Sequence, residues 1–495
     1  MLWANFLHIY QPPNQMPDIL ERIVNESYRK LIAGLKGNPK ARITLNINAG
    51  LTEQLDQRGY HDIIQDIKNL AARGQIEFTE SAKYHPFLPM TPWDEAVRQI
   101  KLNNETNKFY FGEIYQPKGF FPPEMAYSRK VADIAASLKY KWIIIDEIAF
   151  NGKTENVDYN KVYTIKNLKG LKVFFRDRRI SNLIMSAVVR SGKSLLETLG
   201  EEKKKNRYLL TAMDGETFGH HRPGLEKLLF EILSSPKFKK ITVSEIEKYF
   251  PKAEAIDPIA STWASSEQDI QNEVQFLSWN DPKNPIHAWQ WEFISFVLKI
   301  VEKLDPQKPY YKISRDKMDR ALHSCQYWWA SAKPWWSLEM IEGGAWKLFD
   351  VLQSIPDLPE ENLKRGEKLY QRIVLKAFEW QRTGYIRKLA QTMQAQTRIP
   401  FKERTLLAGK PEVYWAFIDT MKKEMTKASR QQEFEKAILW RDAILKIENR
   451  DDIYDAIHAT NLLRTVVSGN ELEKLMDKYK KKYQKIRGGQ PEQRG

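Results

Sequence analysis

Cysteine is almost absent from this sequence: among 495 residues there is one, Cys325. A single cysteine cannot form a disulfide within its own chain, which excludes a disulfide-stapled secreted domain and favours a reducing compartment. Long hydrophobic runs are also lacking, and none approaches the ~20 apolar residues that span a bilayer. The opening "MLWANFLHIYQPP" has neither a basic segment nor a cleavage site, so no signal peptide is expected. These features predict a cytoplasmic protein that does not bind membranes.

Charge is plentiful but unbalanced, with 78 Lys and Arg against 63 Asp and Glu, a net charge of +15. Such an excess is also found in proteins that bind nucleic acids. Here much of it lies in the local runs "EEKKKNR" (201–207) and "DKYKKKYQKIR" (477–487), which solvated helix faces explain. No nucleic-acid partner is therefore expected.

The first half of the chain alternates between short β-rich runs and helical stretches. Two examples of the helical stretches are residues 60–74 and 128–140. Seven strands alternating with helices predict a parallel α/β sheet, and the number suits a closed or nearly closed barrel. An eight-stranded barrel and an open doubly wound sheet are the alternatives. The seven predicted strands are 2–10, 41–48, 74–80, 118–122, 141–146, 171–176 and 207–213.

Strand signals stop after about residue 265, and helical periodicity continues to the end of the chain. We expect a barrel over 1–265, a helical segment over 266–355 and a C-terminal helical region over 356–495. The segment "SIPDLPEE" (354–361) marks the break between the last two.

Polar side chains follow each predicted strand. In a parallel barrel the carboxyl ends of all strands meet at one mouth, so these side chains should line a single cleft. The segments are "HIYQPP" with His8 and Gln11, "NAGLTEQL" (48–55), "SAKYHPFLP" with His85, "PPEMAYS" with Glu124, Asp146 with Glu147, "RDRRISN" (176–182), and "DGETFGHH" with Asp214.

The residue types in this cleft limit its chemistry. The sequence has no nucleophile-elbow serine, no phosphate-binding glycine loop and no cysteine-based metal site. Carboxylates, histidines and aromatic side chains remain. Two carboxylates at a mouth that excludes water are the groups that glycoside hydrolysis uses, one to attack the anomeric carbon and one to protonate the leaving oxygen.

These segments resemble glycoside hydrolase family 57, an α-glucan-active family, over roughly residues 1 to 340. "HIYQPP" resembles its first motif, His-x-His-Gln-Pro, with Tyr10 in place of the second His. "GFFPPEMAYS" resembles the nucleophile motif and "MDGETFGHH" the acid/base motif, which implies Glu124 as nucleophile and Asp214 as acid/base. The resemblance implies a seven-stranded barrel and a reaction with retention. "YHPFLP" and "HSCQYWWAS" (323–331) are similar to further family segments, the latter in the helical region that closes over the active site.

Other residues at the mouth are candidates for substrate contact. The set is His8, Tyr10, Gln11, His85, Glu216, His220, His221 and Trp263. Glu216 is expected to support His221 rather than to react. Asp146 and Glu147 are expected to be supporting residues, and Arg176 is expected to pair with Asp177.

Asp214, His220 and His221 are residue types that ligate zinc, so a metal site is the alternative interpretation of this segment. Adjacent histidines rarely both reach one metal ion, so neither a metal nor another cofactor is expected. The predicted substrates are α-1,4-linked glucans: starch, glycogen or maltooligosaccharides. Hydrolysis, transfer and branching all remain open. The rival functions are a metal-dependent polysaccharide deacetylase of related fold and a non-catalytic glycan-binding scaffold.

A second resemblance lies in the tail. Residues 421–449 are similar to a short motif of excinuclease subunits B and C, which forms a helical hairpin used for protein contacts. The matching positions are Met425, Ala428, Phe434, Glu435, Ala437, Arg441, Asp442, Ile444 and Glu448. The resemblance predicts a hairpin and a protein partner at residues 418–449. An ordinary helix pair that packs on the rest of the protein is the alternative.

Overall fold

The computed structural model describes residues 1–332, 335–394, 411–448, 462–463, 466–467 and 469–486. Two compact units are present. The first contains residues 1–182, 204–215 and 236–390, and the second contains 183–203, 216–235 and the described part of 391–495. The domain limits expected at residues 265 and 355 remain predictions.

A sheet of ten strands lies at the centre of the first unit, in the order β10-β6-β7-β5-β4-β3-β2-β1-β8, with β9 paired to β1. The strands are β1 Leu2–Ile9, β2 Ile43–Ile47, β3 Ile76–Glu80, β4 Gly119–Phe120, β5 Trp142–Asp146, β6 Val162–Ile165, β7 Lys172–Arg176, β8 Tyr208–Asp214, β9 Lys239–Ile241 and β10 Ala253–Ile256. The seven predicted strands are β1 to β5, β7 and β8. They lie side by side and are parallel throughout. β6 pairs with β7 in the antiparallel direction, and β10 pairs with β6 at the edge of the sheet.

The two ends of this row of seven strands meet. The main-chain N–H of Asp177, just after β7, donates a 2.8 Å hydrogen bond to the carbonyl of Leu210 in β8. The side-chain Nε of Arg176 donates to the carbonyl of Ala212, also at 2.8 Å. The sheet therefore curls into the expected (β/α)7 barrel, which a helical region follows.

Burial explains why these runs are strands. β2 and β5 are buried at every residue and β1 at all but its first, because the barrel interior lies on one face and helices cover the other. Inside, the rings of Phe6 and Phe121 stack with centroids 5.2 Å apart. Gly119 is needed in β4, since a Cβ there would lie 2.1 Å from the indole of Trp142.

Helices connect the strands of the barrel. α4 illustrates their pattern: Ile63, Ile67 and Leu70 face inward at spacings of four and three, and are buried. No helix in the described residues is both long and apolar enough to cross a membrane. The helices of this part are α1 Pro17–Ile23, α2 Arg29–Lys36, α3 Ala49–Gln57, α4 His61–Ala72, α5 Trp93–Phe111, α6 Arg129–Ser137, α7 Arg178–Met185, α8 Gly192–Leu199, α9 Glu226–Ser234 and α10 Ile246–Tyr249.

A group of helices completes the first unit and shares one apolar core, to which Phe293, Met318, Leu348 and Ile373 belong. The expected break at 354–361 falls between two of these helices. Their bounds are α11 Glu267–Gln271, α12 Pro285–Val301, α13 Tyr311–Ala321, α14 Cys325–Trp329, α15 Leu338–Gln353, α16 Glu360–Arg382 and α17 Tyr385–Gln394.

The second unit contains the predicted hairpin. Its C-terminal helices are α18 Pro411–Arg430, α19 Phe434–Glu448 and α20 Gly469–Ile486, and Phe417, Met421, Trp440 and Ile444 form their core. Between α18 and α19 the N–H of Glu433 bonds the carbonyl of Ala428 at 2.9 Å. The predicted hairpin is thus formed. Large apolar side chains remain exposed on α19: Phe434, Ile438, Leu439 and Leu445.

Candidate active site

The ends of three neighbouring strands form one layer of the site. His8 of β1 is the register partner of Asn46 in β2 and of Asp214 in β8. Since paired residues of parallel strands point to the same face, the three side chains lie in one row across the barrel. This register is the structural reason that "HIYQPP" (8–13) and "DGETFGHH" (214–221), which are far apart in the sequence, come together.

Glu124 sits in a strained turn at the end of β4. Its φ is +62°, in the left-handed region, which costs a residue with a Cβ of the order of 1 kcal/mol or more. Its two carboxylate oxygens accept separate hydrogen bonds. Trp263 Nε1 donates to Oε2 at 3.1 Å, and Ser324 Oγ donates to Oε1 at 3.2 Å. The backbone strain and the two donors together fix the direction of this carboxylate.

Three rings are arranged beside Glu124. His85 stacks on Tyr10 with centroids 4.2 Å apart and on His8 at 5.1 Å. His85 also has a left-handed φ of +58°. Burial lowers the pKa of His8 to about 4 and holds the pKa of His85 well below its usual value, so both imidazoles are neutral at physiological pH.

The tautomers of both histidines follow from their partners. The amide Nδ2 of Asn46 donates to the carbonyl of Thr79 at 2.9 Å, so its Oδ1 accepts from Nδ1 of His8 at 2.7 Å. The Ser324 hydroxyl gives its one proton to Glu124, so His85 Nδ1 must donate to Ser324 Oγ, at 2.9 Å. In each imidazole Nε2 is left as an acceptor. Sugar hydroxyls are donors of the kind that such nitrogens bind.

Asp214 ends β8 next to a fixed cation. Arg176 is fully buried and donates to Asp146 Oδ2 at 2.8 Å and to Asn182 Oδ1 at 2.7 Å. Burial raises the pKa of Asp214 to about 6, and the charge of Arg176 acts in the opposite direction. Asp214 keeps part of its surface at the cleft, while the protein around its carboxyl removes most of the water.

The two carboxyl groups interact electrostatically. Burial raises the pKa of Glu124 to about 8, and the charge of Asp214 adds to that rise. The pair therefore holds one proton between about pH 6 and about pH 8. The sequence-based expectation was an ionised Glu124 beside a protonated Asp214. In the ligand-free protein the pKa of Glu124 is raised further than that of Asp214, because the charge of Asp214 adds to the rise at Glu124 and the charge of Arg176 opposes the rise at Asp214.

Two expectations about supporting residues had different outcomes. The expected pair of Arg176 with Asp177 is wrong: Arg176 bonds Asp146, and Asp177 bonds Arg207 at 2.7 Å. Successive residues at a strand end point to opposite faces, which separates the two side chains. Asp146 has the expected supporting role, since it also accepts from Arg178 Nε at 2.7 Å.

Three predicted substrate residues are engaged by the protein itself. Gln11 is buried, donates to the hydroxyl of Tyr28 at 3.3 Å and accepts from Gln15 at 2.8 Å. Trp263 contacts Glu124, and its ring lies 6.4 Å from that of His8. Tyr10 accepts from Cys325 Sγ at 3.6 Å, and burial raises the pKa of its phenol. Their roles in substrate binding stay predictions.

Glu216, His220 and His221 belong to the second unit. Glu216 is buried, and its carbonyl accepts from the main-chain N–H of His220 at 3.2 Å and of His221 at 2.8 Å. The carbonyl contacts form a turn directly after Gly215. The substrate roles of these three residues also stay predictions. Within the described residues there is no group of three or more His, Cys, Asp or Glu side chains arranged to hold a metal ion.

Sequence reasoning missed Asn46 and Ser324. Asn46 is buried inside β2, where an amide needs a specific partner, and that burial requirement was the available signal. Ser324 lies in the quoted segment "HSCQYWWAS", but nothing in the segment links it to residues 85 and 124.

The fold and the site together define the class of this protein: a parallel α/β barrel with a coupled pair of carboxyl groups at its mouth. The chain belongs to glycosyl hydrolase family 57, whose family model matches residues 6–257, just over half of the chain. A UvrB/uvrC motif matches residues 416–450 and agrees with the hairpin of α18 and α19.

The chain is similar to curated proteins with two kinds of name. The chain is 26% identical to an alpha-amylase of Pyrococcus horikoshii over 53% of this chain and 43% of that protein. It is 24% identical to a 4-alpha-glucanotransferase of Thermococcus litoralis over 53% and 41%, respectively. The chain thus spans less than half the length of these curated relatives. Among solved structures, a branching enzyme of this family from Thermococcus kodakaraensis has the same fold, with a TM-score of 0.58 at 15% identity over 76% of this chain and 96% of that one.

Proposed function

We propose that this protein is a retaining enzyme that cleaves or transfers α-1,4-linked glucans. The observation that carries the proposal is the buried, electrostatically coupled pair of Glu124 and Asp214 at the ends of β4 and β8. Two carboxyl groups that share one proton near neutral pH supply the anion and the acid that glycoside cleavage needs. The names of the family relatives, alpha-amylase and 4-alpha-glucanotransferase, support α-glucans as the substrate class.

In the first step Glu124 attacks the anomeric carbon. The bond from this carbon to the leaving sugar oxygen breaks as the bond to the Glu124 oxygen forms, and Asp214 gives its proton to the leaving oxygen. The ligand-free pair carries the required single proton, but on Glu124. We infer that substrate binding moves the proton to Asp214, since a glycosidic oxygen beside Asp214 gives the protonated form of that carboxyl a hydrogen-bond acceptor.

In the second step Asp214 takes a proton from water or from a sugar hydroxyl, whose oxygen displaces Glu124 from the anomeric carbon. Water gives hydrolysis and a sugar gives transfer or branching. Two inversions at the same carbon give overall retention. His8, neutral with Nε2 as an acceptor, would take a hydrogen bond from a hydroxyl of the bound sugar, whereas Nε2 of His85 is buried and has no partner among the described residues of the ligand-free protein.

Maltoheptaose is the substrate that tests this proposal. Glucose and maltose as products would indicate hydrolysis, longer chains would indicate transfer, and early NMR spectra of the products would report the anomer. Glu124→Gln should lower kcat by several orders of magnitude, because the nucleophile is lost. Glu147→Gln is the matched control, because Glu147 is also a buried carboxyl at a strand end, with its pKa raised by burial to about 7, but it is bonded to Tyr159. Equal losses in the two variants, or an active Glu124→Gln, would contradict the assignment.

The role of Asp214 is tested by the leaving group. Asp214→Asn should slow the cleavage of maltooligosaccharides far more than that of α-glucosides with acidic phenol leaving groups, which need little protonation. Equal losses would mean that another residue is the acid. Activity that disappears with a chelator and returns with zinc would instead support the rival metal-dependent deacetylase. A folded protein that binds glucans without turning them over would support the scaffold.

The protein partner predicted for residues 418–449 and the cytoplasmic location remain predictions. The exposed Phe434, Ile438 and Leu445 on α19 form the apolar surface that such a partner would cover.

A further inference from the structure

We propose that Ser324 is a positioning residue of the active site: it holds Oε1 of Glu124, favours the anionic form of that carboxylate, and is itself directed by His85. The inference rests on the proposed function, because Glu124 is taken as the nucleophile. It assigns a role to a residue of the helical region rather than of the barrel.

The contacts form a chain with one direction. His85 Nδ1 lies 2.9 Å from Ser324 Oγ, and Ser324 Oγ lies 3.2 Å from Glu124 Oε1. His85 Nδ1 is itself 3.7 Å from Oε1 of Glu124, too far for a good direct hydrogen bond. A neutral imidazole therefore acts on the carboxylate through the serine hydroxyl. Because imidazole donates to the hydroxyl oxygen, the hydroxyl proton has one acceptor left, which is Glu124.

The main chain holds Ser324 in this place. The N–H of Ser324 donates to the carbonyl of His85 at 2.9 Å, and an isolated antiparallel bridge joins Pro86 to His323. Ser324 is fully buried and directly precedes α14. The serine thus connects two residues with left-handed backbones, His85 and Glu124. A buried serine could satisfy its own hydrogen bonds without contacting two strained residues. The contact with both therefore indicates a positioning role.

The charges around Glu124 make the hydroxyl important. Four titratable groups face this carboxyl: Asp214, His85, Tyr10 and Cys325. His85 is held neutral, and burial raises the pKa of both the Tyr10 phenol and the Cys325 thiol, so these three carry no charge near pH 7. Asp214 is the charged neighbour, and it disfavours a second anion. Ser324 and Trp263 are the donors that act against it by stabilising the charged form of Glu124.

A carboxyl titration tests the proposal without any need for turnover. The protein labelled with ¹³C at glutamate side chains is titrated by NMR, and the Glu124 signal is assigned by its loss in Glu124→Gln. We expect the pKa of Glu124 to rise in Ser324→Ala, since a hydrogen bond to the charged form is lost. Ser331→Ala is the matched control: this buried serine bonds the main chain of Trp335 and should leave the Glu124 titration unchanged.

Near-ultraviolet circular dichroism confirms that each variant is folded, and Ser324→Gly replaces Ser324→Ala if the latter is not. A Glu124 titration that is the same in the folded Ser324 variant and in the wild type overturns the proposal. So does an equal shift in Ser331→Ala, which would show that any lost hydroxyl in this region has the effect.

Activity provides the second measurement. Ser324→Ala should lower kcat by about 10- to 100-fold, the range expected for one hydrogen bond to a charged group, while KM changes little. The alkaline limb of the pH profile, which the pKa of Glu124 sets, should move to higher pH. A rise in KM with unchanged kcat would overturn the positioning role. If the wild-type protein has no activity on maltoheptaose, the proposed function fails, whereas the NMR titration still decides whether Ser324 controls Glu124.

Discussion

The indole Nε1 of Trp263 lies 3.1 Å from Oε2 of Glu124, and the N–H of Trp263 bonds the carbonyl of Glu124 at 3.3 Å. Trp263, which follows the barrel strands in the sequence, thus bonds both the side chain and the main chain of the proposed nucleophile. This contact is separate from the expected role of Trp263 in substrate binding, which stays a prediction. The indole acts as a hydrogen-bond donor to Glu124.

Trp263→Phe should therefore act on catalysis more than on folding. Phenylalanine keeps most of the apolar ring but loses the donor, so the anion of Glu124 is less stabilised and its pKa, already about 8, rises further. We expect kcat to fall about tenfold and the alkaline limb of the pH profile, which the pKa of Glu124 sets, to move to higher pH. Trp289→Phe is the control, since Trp289 lies under Arg372, at 4.5 Å, and is not among the partners of Glu124. An unchanged profile in Trp263→Phe would show that the indole is not a functional donor.

The activity of the wild-type protein should have a bell-shaped pH dependence. The pair titrates with pKa values of about 6 and about 8. Below the lower value both carboxyls are protonated and the nucleophile is lost, while above the upper value both are ionised and the acid is lost. We expect kcat/KM on maltoheptaose to be highest between these limits. A flat profile from pH 5 to 9 would contradict the coupled pair.

Glu124→Gln should become more stable than the wild type as the pH rises. The folded-state pKa of Glu124 is above its unfolded value of 4.5, so its contribution to folding is fully present below pH 4.5 and is lost as the pH rises towards 8. Glutamine keeps a neutral side chain at every pH. The difference in the free energy of unfolding should therefore grow from pH 4.5 to pH 8 and reach the order of a few kcal/mol. Denaturant unfolding at several pH values measures it, and a difference that is constant with pH would contradict the raised pKa.

Cys325 should be slow to alkylate although it lies in the active-site region. Burial, with a smaller contribution from the charge of Glu124, raises the pKa of its thiol to about 12. The thiolate fraction at pH 8 is then roughly a thousandfold below that of an ordinary cysteine. We expect iodoacetamide to label the native protein far more slowly than the urea-unfolded protein, with mass spectrometry as the readout. Equal rates would show that the thiol is neither buried nor perturbed.

The pattern of apolar runs predicted most of the barrel, and the strands that it did not predict have local reasons. β1 to β5, β7 and β8 are recognisable because each is a long apolar run or is followed by a motif. β6, β9 and β10 were missed: the sequence of β10 is "AEAI", largely exposed and rich in residues that favour helices, and β9 has only three residues, two of them lysines. Their partners, rather than their own patterns, make them strands.

For the site, the sequence supplied the residues on strand ends but not the connections between them. Glu124, Asp214, His8 and His85 follow predicted strands, and barrel topology is enough to bring them to one mouth. Ser324 and His85 are 239 positions apart, so their contact depends on how a helical segment packs on the barrel. Proton positions are equally non-local: the depth of burial that raises the pKa of Glu124 cannot be read from its neighbours in the chain.

The arrangement of the second unit has a consequence for anyone who shortens this protein. That unit takes two stretches from within the barrel sequence, 183–203 and 216–235, along with the tail after residue 390. Within it Arg190 lies over the ring of Phe417, and Lys193 faces Asp477 at 3.8 Å. A stop codon placed after residue 390 would therefore not delete an appended module. It would leave two barrel loops without the helices of their own compact unit, so a chimera should exchange all three stretches at once.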